Sequence, residues 1–217
     1  MTVYAPPPAT GSTVLYTDDA FLITDKPAGL LSVPGRGEDK HDCLIHRVQE
    51  THPEALIVHR LDMSTSGLLI LARGEAMQRH FSMLFRERAV DKRYIAVVQG
   101  IVEQDVGEID LPMICDWPNR PRQMVDFERG KPSLTRYRVL ERSPATQTTR
   151  VELEPVTGRS HQLRVHMMSL GHPILGDDLY GGIAYERAER LLLHAAQVAF
   201  AHPVSGLPQQ FECAPPF

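Results

Sequence analysis

Four consecutive residues, His59-Arg60-Leu61-Asp62, set an imidazole, a guanidinium and a carboxylate just ahead of the apolar run Gly67-Leu68-Leu69-Ile70-Leu71-Ala72. Charges beside a buried strand need partners, so this group is either a structural ion pair or the rim of an active site. If Val58 ends one strand and Gly67 begins the next, Asp62 stands on the turn between them at a sheet edge. A carboxylate so placed stays ionised only beside a cation or several hydrogen-bond donors, because burial favours the neutral acid. The pattern superficially matches an H-R-D kinase loop. The inserted leucine breaks that spacing, and no glycine-rich phosphate loop or D-F-G accompanies it.

A second constellation is Gly158-Arg159-Ser160-His161-Gln162-Leu163-Arg164-Val165-His166. On a helix His161 and Arg164 share a face, from which a guanidinium could meet an acid across a cleft; an ordinary charged surface helix is the competing reading. Zinc is disfavoured, since His161 and His166 are splayed on a helix and no H-E-x-x-H is present. A third is Lys92-Arg93-Tyr94, opening a strand on which Tyr94 is a half-buried residue, a stacking platform or a weak base. Lys26-Pro27-Ala28-Gly29 reads as a rigid turn. Dinucleotide, P-loop and G-x-S-x-G motifs are missing, as is an acidic cluster suited to a divalent ion, so chemistry without a cofactor or metal is expected.

The elements that must position these residues are legible in outline. Thr13 to Val33 reads as a hairpin leading into the Lys26 loop, and Asp42 as the cap of a helix carrying Leu44, Ile45 and Val48. Met77, Phe81, Leu84 and Phe85 recur with helical period, which predicts an amphipathic helix over Glu75 to Arg88. Strands are expected at Tyr94–Gln99, Gly107–Leu111, Ser133–Leu140, Thr148–Glu154, Leu191–Phe200 and Gln209–Cys213. Ser160 is expected to cap a helix stopped by Gly171, followed by a Gly/Asp loop at His172–Gly182 and a short helix at Tyr185–Arg190. Strands in hairpin-like succession outnumber helices, so the expected class is α+β around a mostly antiparallel sheet. The prolines near Pro118-Pro121 are a candidate divide between two lobes.

With 217 residues, 42% hydrophobic and 23% charged, the chain is long enough for one large domain or two small lobes with a core. No apolar run approaches a membrane span, and the start shows no signal-peptide pattern. Three scattered cysteines without C-x-x-C fit a reducing cytoplasm. The net charge of −4 does not advertise nucleic acid, yet Trp117 to Arg142 holds seven basic residues (Arg120, Arg122, Arg129, Lys131, Arg136, Arg138 and Arg142) against three acids. Such a run is either a solvated face or a phosphate-facing surface.

Taken together, Asp25-Lys26-Pro27-Ala28-Gly29-Leu30, His59-Arg60-Leu61-Asp62 with Thr65-Ser66-Gly67, Lys92-Arg93-Tyr94, Gly158 to Arg164, and Leu193-His194-Ala195 with His202-Pro203 resemble the RluA family of pseudouridine synthases. The pieces follow the family's order over almost the whole chain. Leu111 to Pro121 is similar to the branch acting on both 23S ribosomal RNA and the tRNA anticodon stem-loop. The resemblance implies the pseudouridine synthase catalytic fold: a mostly antiparallel mixed sheet in two lobes with flanking helices and a catalytic cleft. It implies an arm at residues 1–12 and a catalytic domain at 13–217 without an N-terminal S4 domain.

The resemblance makes Asp62 the catalytic carboxylate of a cofactor-free isomerisation; attack on C1′, attack on the ring and removal of a ribose proton all stay open. It makes Arg164 the ion-pair partner of Asp62, Tyr94 the residue stacked on uracil and Leu193 the packing beneath the base. Arg60 is expected to fill the space of a flipped uridine or to fix its loop. His59, Leu61, Thr65, Arg159, His161 and Gln162 join the expected substrate contacts, and the basic run from Arg120 to Arg142 (Arg120, Arg122 and Lys131 among its RNA contacts), with Arg86, Arg88, Lys92 and Arg93, the phosphate-facing surface. The expected partners are structured RNA, with no membrane and no obligate protein partner, the chain acting as a monomer. The alternatives are a non-catalytic RNA-binding or chaperone protein on the same fold, and a nucleoside N-glycosidase, for which no second carboxylate is evident.

Overall fold

The computed structural model describes residues 4–9 and 13–217. In chain order the elements are β1 (Val14–Thr17), β2 (Phe21–Lys26), α1 (Leu44–Gln49), β3 (Ala55–Ile57), β4 (Ser66–Arg73), α2 (Gly74–Glu87), β5 (Asp91–Gln99), β6 (Val106–Asp110), β7 (Met113–Cys115), β8 (Gln123–Val125), β9 (Leu134–Ser143), β10 (Thr148–Pro155), α3 (Gln162–Ser169), β11 (Leu193–Ala201) and β12 (Pro208–Glu212). The class is α+β. Two compact units divide the chain, Met1–Asp91 with His194–Pro216, and Lys92–Leu193 with Phe217. The boundaries therefore fall inside β5 and β11. The prolines near Pro118-Pro121 lie instead at the tip of the β7–β8 hairpin. Among the described residues no helix is long and apolar enough to cross a membrane.

In the first unit β2 pairs antiparallel with β1 and β4, β3 pairs antiparallel with β4, and β12 antiparallel with β11. β11 runs parallel to β4, with His194 opposite Ser66 and Ala195 opposite Gly67, so the sheet is mixed. Ser66 through Ala72 are all buried. That explains the unbroken apolar run: a strand covered on both faces has no reason to alternate. The helical stripe of α2 lies on this sheet, where Phe81 packs edge-on against Phe21 and Phe200 at centroid distances of 5.7 and 5.3 Å. Removing the Phe81 ring would cost about 3–5 kcal/mol. Arg88, in the left-handed conformation, ends the helix.

One local expectation is corrected at α1. Cys43, not Asp42, holds the N-cap position of α1 and makes no side-chain cap; Asp42 accepts both Nε and Nη2 of Arg47 at 2.7 Å. The arm expected over residues 1–12 falls partly outside the described residues. Where described it is anchored, because the Tyr4 hydroxyl donates to the Asp42 carbonyl and Arg47 donates to the Pro7 carbonyl.

The second unit is antiparallel throughout, with β10 between β5 and β9, β6 on β9, and β7 paired with β8. β10 alternates, burying Thr149, Val151, Leu153 and Pro155. The inner face gathers Ala96, Val98, Val151, Leu153, Leu163, Met167, Ile174 and Leu193 into one core. α3 starts after His161, which sits at the N-cap position with φ +56°, in place of the expected Ser160. The short helix expected at Tyr185–Arg190 is a 3₁₀ segment at Gly182–Arg187.

Candidate active site

Asp62 lies on the connection between β3 and β4, half-buried, and its carbonyl accepts the Thr65 N–H at 3.1 Å to close a tight turn. The residues around it are held by backbone contacts. The Ser32 hydroxyl donates to the Leu61 carbonyl at 2.8 Å and accepts the Leu61 N–H at 3.2 Å. The Met63 carbonyl accepts the Gly29 N–H at 2.8 Å and the Lys26 ammonium at 3.1 Å.

Lys26 is the mount of this turn. It ends β2 opposite Gly67 of β4 and is 0% exposed. Its Nζ also donates to the carbonyls of Leu30 at 2.7 Å and Pro27 at 3.0 Å. An ammonium carries three protons, so three converging carbonyls match its donor set. The Lys26-Pro27-Ala28-Gly29 loop is thus more than a rigid turn: it wraps a buried cation that grips the residue after Asp62.

His59 and Thr65, expected among the substrate contacts, are placed as braces. His59 Nε2 accepts the Ile70 N–H at 3.0 Å, and its ring lies 4.4 Å from that of Phe85. Thr65 and Leu61 are buried, whereas Arg60 is exposed. Behind them Ser66 and His194 Nδ1 form a buried hydrogen bond of 2.9 Å. Gly67, at φ +109°, brings β4 so close to β11 that a Cβ would stand 2.3 Å from the Ala195 carbonyl oxygen. Only glycine fits there.

In the second unit Tyr94 is half-buried on β5 and packs against the core that contains Leu193 and Leu163, so the expected stacking residue, the expected floor of the base site and α3 share one support. Arg164 is 2% exposed. Its Nε and Nη2 donate to the two oxygens of Asp177 at 2.8 and 2.6 Å, and Nη2 also reaches Asp178 at 2.9 Å. The ring of Tyr180 lies 5.2 Å from its guanidinium carbon. His161 Nδ1 bonds the Tyr180 hydroxyl at 2.7 Å.

Gln162, also expected at the substrate, is buried with its amide fully used. Its Nε2 donates to the Leu134 carbonyl and Thr135 Oγ1, and its Oε1 accepts the Thr157 hydroxyl and the Arg159 N–H. Thr135 Oγ1 also bonds His166 Nδ1, whose other nitrogen donates to the Leu111 carbonyl. Burial pushes the His166 pKa below its ordinary value, only partly opposed by that carbonyl. The Gly/Asp loop thus supplies partners that sequence reasoning overlooked, Asp177, Asp178 and Tyr180. The adjacent acids between Gly176 and Gly181 were the available signal.

The basic run resolves into two sets. Arg129, Arg136, Arg138 and Arg142 are in ion pairs with Asp126, Glu108, Glu152 and Asp105 at 2.6–3.1 Å. Arg120, Arg122 and Lys131 are exposed and, among the described residues, in no ion pair. Arg120 lies 4.8 Å from the centre of the Trp117 ring, and Arg122 lies 5.4 Å from that of Tyr180. Trp117 and Phe127 are 65% and 78% exposed. Guanidinium groups interleaved with exposed rings suit a chain of phosphates and bases. Arg159 is exposed and reaches the Pro132 carbonyl at 3.3 Å.

Asp25, His194 and Cys213 hold their candidate ligand atoms within 4.8 Å of one another. Burial, with the Asp25 carboxylate beside it, pushes the Cys213 thiol up to about 11. Such a thiol keeps its proton at neutral pH and donates it to Asp25 at 3.5 Å, which is a hydrogen-bond cluster rather than a thiolate site.

A family model for RNA pseudouridylate synthase matches residues 20–169. The Vibrio cholerae protein named dual-specificity RNA pseudouridine synthase RluA is 52% identical over 206 residues, covering 94% of this chain and 83% of its own. The Escherichia coli K12 protein of that name is 49% identical over 215 residues, covering 99% and 98%. The solved structure of human RNA pseudouridylate synthase domain containing 1 matches with a TM-score of 0.81 at 30% identity, over 98% of this chain and 87% of that one.

Proposed function

Because this chain belongs to the RNA pseudouridylate synthase family, we propose that Asp62 is the carboxylate with which it converts uridine to pseudouridine in its RNA. The fold is the α+β pseudouridine synthase catalytic fold, and the reaction is an isomerisation. The bond from uracil N1 to ribose C1′ breaks, the base turns in place, C5 bonds to C1′, and the C5 proton leaves as N1 gains one. Nothing is oxidised, so no electron carrier is required. A carboxylate near C1′ serves this as it serves glycoside hydrolysis, and a single one suffices because the leaving base is recaptured instead of being replaced by water.

The observation that carries the reading is the mounting of Asp62: a half-buried residue on a tight turn whose flanking residues are fixed by Ser32 and buried Lys26. Precision of that kind is what a reacting carboxylate requires. Arg164 acts on this carboxylate as a charged partner, Tyr94 stacks on the uracil and assists loss of the C5 proton, and Leu193 packs beneath the base. The target uridine leaves its stack to react, and Arg60 occupies the space it vacates.

The substrates are stem-loops of 23S ribosomal RNA and the tRNA anticodon arm, met in the cytoplasm. The relatives' dual-specificity name and the Leu111 to Pro121 stretch support this. Arg120, Arg122, Lys131 and Arg159 face the phosphates. In RNA carrying 5-tritiated uridine, Asp62→Ala abolishes tritium release while RNA binding persists. Turnover by that variant removes Asp62 from the reaction, and binding without turnover by the wild type favours the non-catalytic reading.

A further inference from the structure

Asp177 has no part in the reaction as written, yet it makes a buried, bidentate ionic contact within the second unit. Both its oxygens are used on Arg164, and Oδ1 additionally accepts the N–H groups of Leu179 and Tyr180 at 3.0 Å each. The carboxylate that holds the arginine is therefore itself held by its own turn. Gly176 before it, at φ +71°, lies so close to Arg190 that a Cβ would stand 1.9 Å from that carbonyl oxygen, so the backbone entering the turn is fixed too. Tyr180 lies over the guanidinium, and its hydroxyl accepts the Gln123 N–H at 2.7 Å. One edge and one face of the Arg164 cation are thereby fixed within the second unit, and Nη1 is outside these bonds.

We propose that Asp177 is a positioning residue for catalysis: a permanent counter-ion that orients the Arg164 fork and keeps its charge compensated while the catalytic carboxylate passes through neutral or covalently engaged states. A buried arginine whose only counter-ion was consumed in each cycle would be left uncompensated at that moment, which is strongly unfavourable. A second, permanent carboxylate removes that problem. The bidentate geometry also fixes the plane of the cation, which an ammonium could not reproduce. Asp178, 53% exposed, shares its contact with solvent and is the weaker partner. The proposal rests on the assignment of Arg164 as partner of Asp62.

The test is a double-mutant cycle read by single-turnover kinetics on a tritiated stem-loop. Asp177→Asn is expected to lower kcat about tenfold or more with KM for RNA within about twofold, the mark of an interaction made in the transition state. Combined with Arg164→Lys, which keeps the charge but loses the fork, the same change is expected to cost about twofold or less, because the route through the arginine is already broken. Equal losses in both backgrounds, or wild-type kcat in folded Asp177→Asn, overturn the proposal alone. Wild-type kcat in Arg164→Lys overturns the reading of Arg164 and the proposal with it. Should Asp177→Asn fail to fold, Asp177→Glu keeps the charge and displaces the carboxylate by one methylene. Loss of kcat with KM retained supports positioning, and full kcat in that folded variant overturns it.

Discussion

Replacing Lys26 by Met keeps the length of the side chain and removes the ammonium, which isolates the cation beneath the Asp62 turn. Three carbonyls, of Pro27, Leu30 and Met63, lose the ammonium, and among the described residues only that of Met63 keeps a second donor, the Gly29 N–H. Hydrogen bonds from a charged group are worth about 1.5–3 kcal/mol each, so the gross loss is roughly 5–9 kcal/mol. Against it stands the cost of burying an ammonium, several kcal/mol even after relaxation, which the thioether does not incur. The net destabilisation is then about 2–4 kcal/mol, and for a chain of this size each kcal/mol moves Tm by about 2–4 °C, giving a drop of roughly 5–15 °C. Activity should fall further than stability alone explains. Met63 adjoins Asp62, and a displacement of about 1 Å at a reacting group costs on the order of a hundredfold. Thermal unfolding and single-turnover tritium release, measured below the variant's Tm, read the two effects separately. A Tm within about 2 °C of wild type together with unchanged turnover would show that the three carbonyls need no cation and that the turn is held by something else.

Gly67→Ala places a methyl group against the Ala195 backbone at a positive φ, and denaturant unfolding should register a loss above about 3 kcal/mol, or no folded protein at all; a loss under about 1 kcal/mol contradicts the close approach. Arg120→Gln with Arg122→Gln should weaken RNA binding and reduce the slope of log K against log salt by about 1.5, two neutralised phosphate contacts, whereas an unchanged slope places the RNA elsewhere. His166 is held neutral by burial, so the unfolded chain takes up a proton first as pH falls. Its contribution to stability is intact above about pH 6.5 and declines below it. Tm should drop between about pH 7.5 and 5.5 and do so less in His166→Asn; parallel curves would exclude this group as the cause.

Sequence reasoning reached whatever is encoded by local period. Met77, Phe81, Leu84 and Phe85 gave α2 its buried stripe, and alternation gave β10. The three-residue strands β7 and β8 are too short to show a period and were missed, while β3, equally short, was anticipated only as the strand ending near Val58. The ion pairs within the basic run were not legible because they depend on register: Arg136 faces Glu108 across β6 and β9, and Arg138 faces Glu152 across β9 and β10. Those partners cannot be known before the pairing is. The site divided in the same way. Asp62 was visible as a charge beside a buried strand, since its neighbours in sequence announce it. Lys26 was not, because its partners are main-chain carbonyls that carry no residue identity. Asp177 was hidden by a loop whose composition reads only as a turn.

β4, the strand that follows Asp62, is completed by β11, and the Ser66–His194 contact joins residues 128 positions apart. The chain builds all of Lys92–Leu193 before it supplies that neighbour. At a translation rate of about 5–20 residues per second, the apolar segment Leu68 to Ala72 waits roughly 6–25 s for its last strand. During that interval a ribosome-bound nascent chain presents an open, greasy ribbon, the kind of surface that chaperones shield. The strand that follows the proposed catalytic carboxylate is consequently completed only near the end of synthesis, although the turn itself is held by Ser32 and Lys26, made before it.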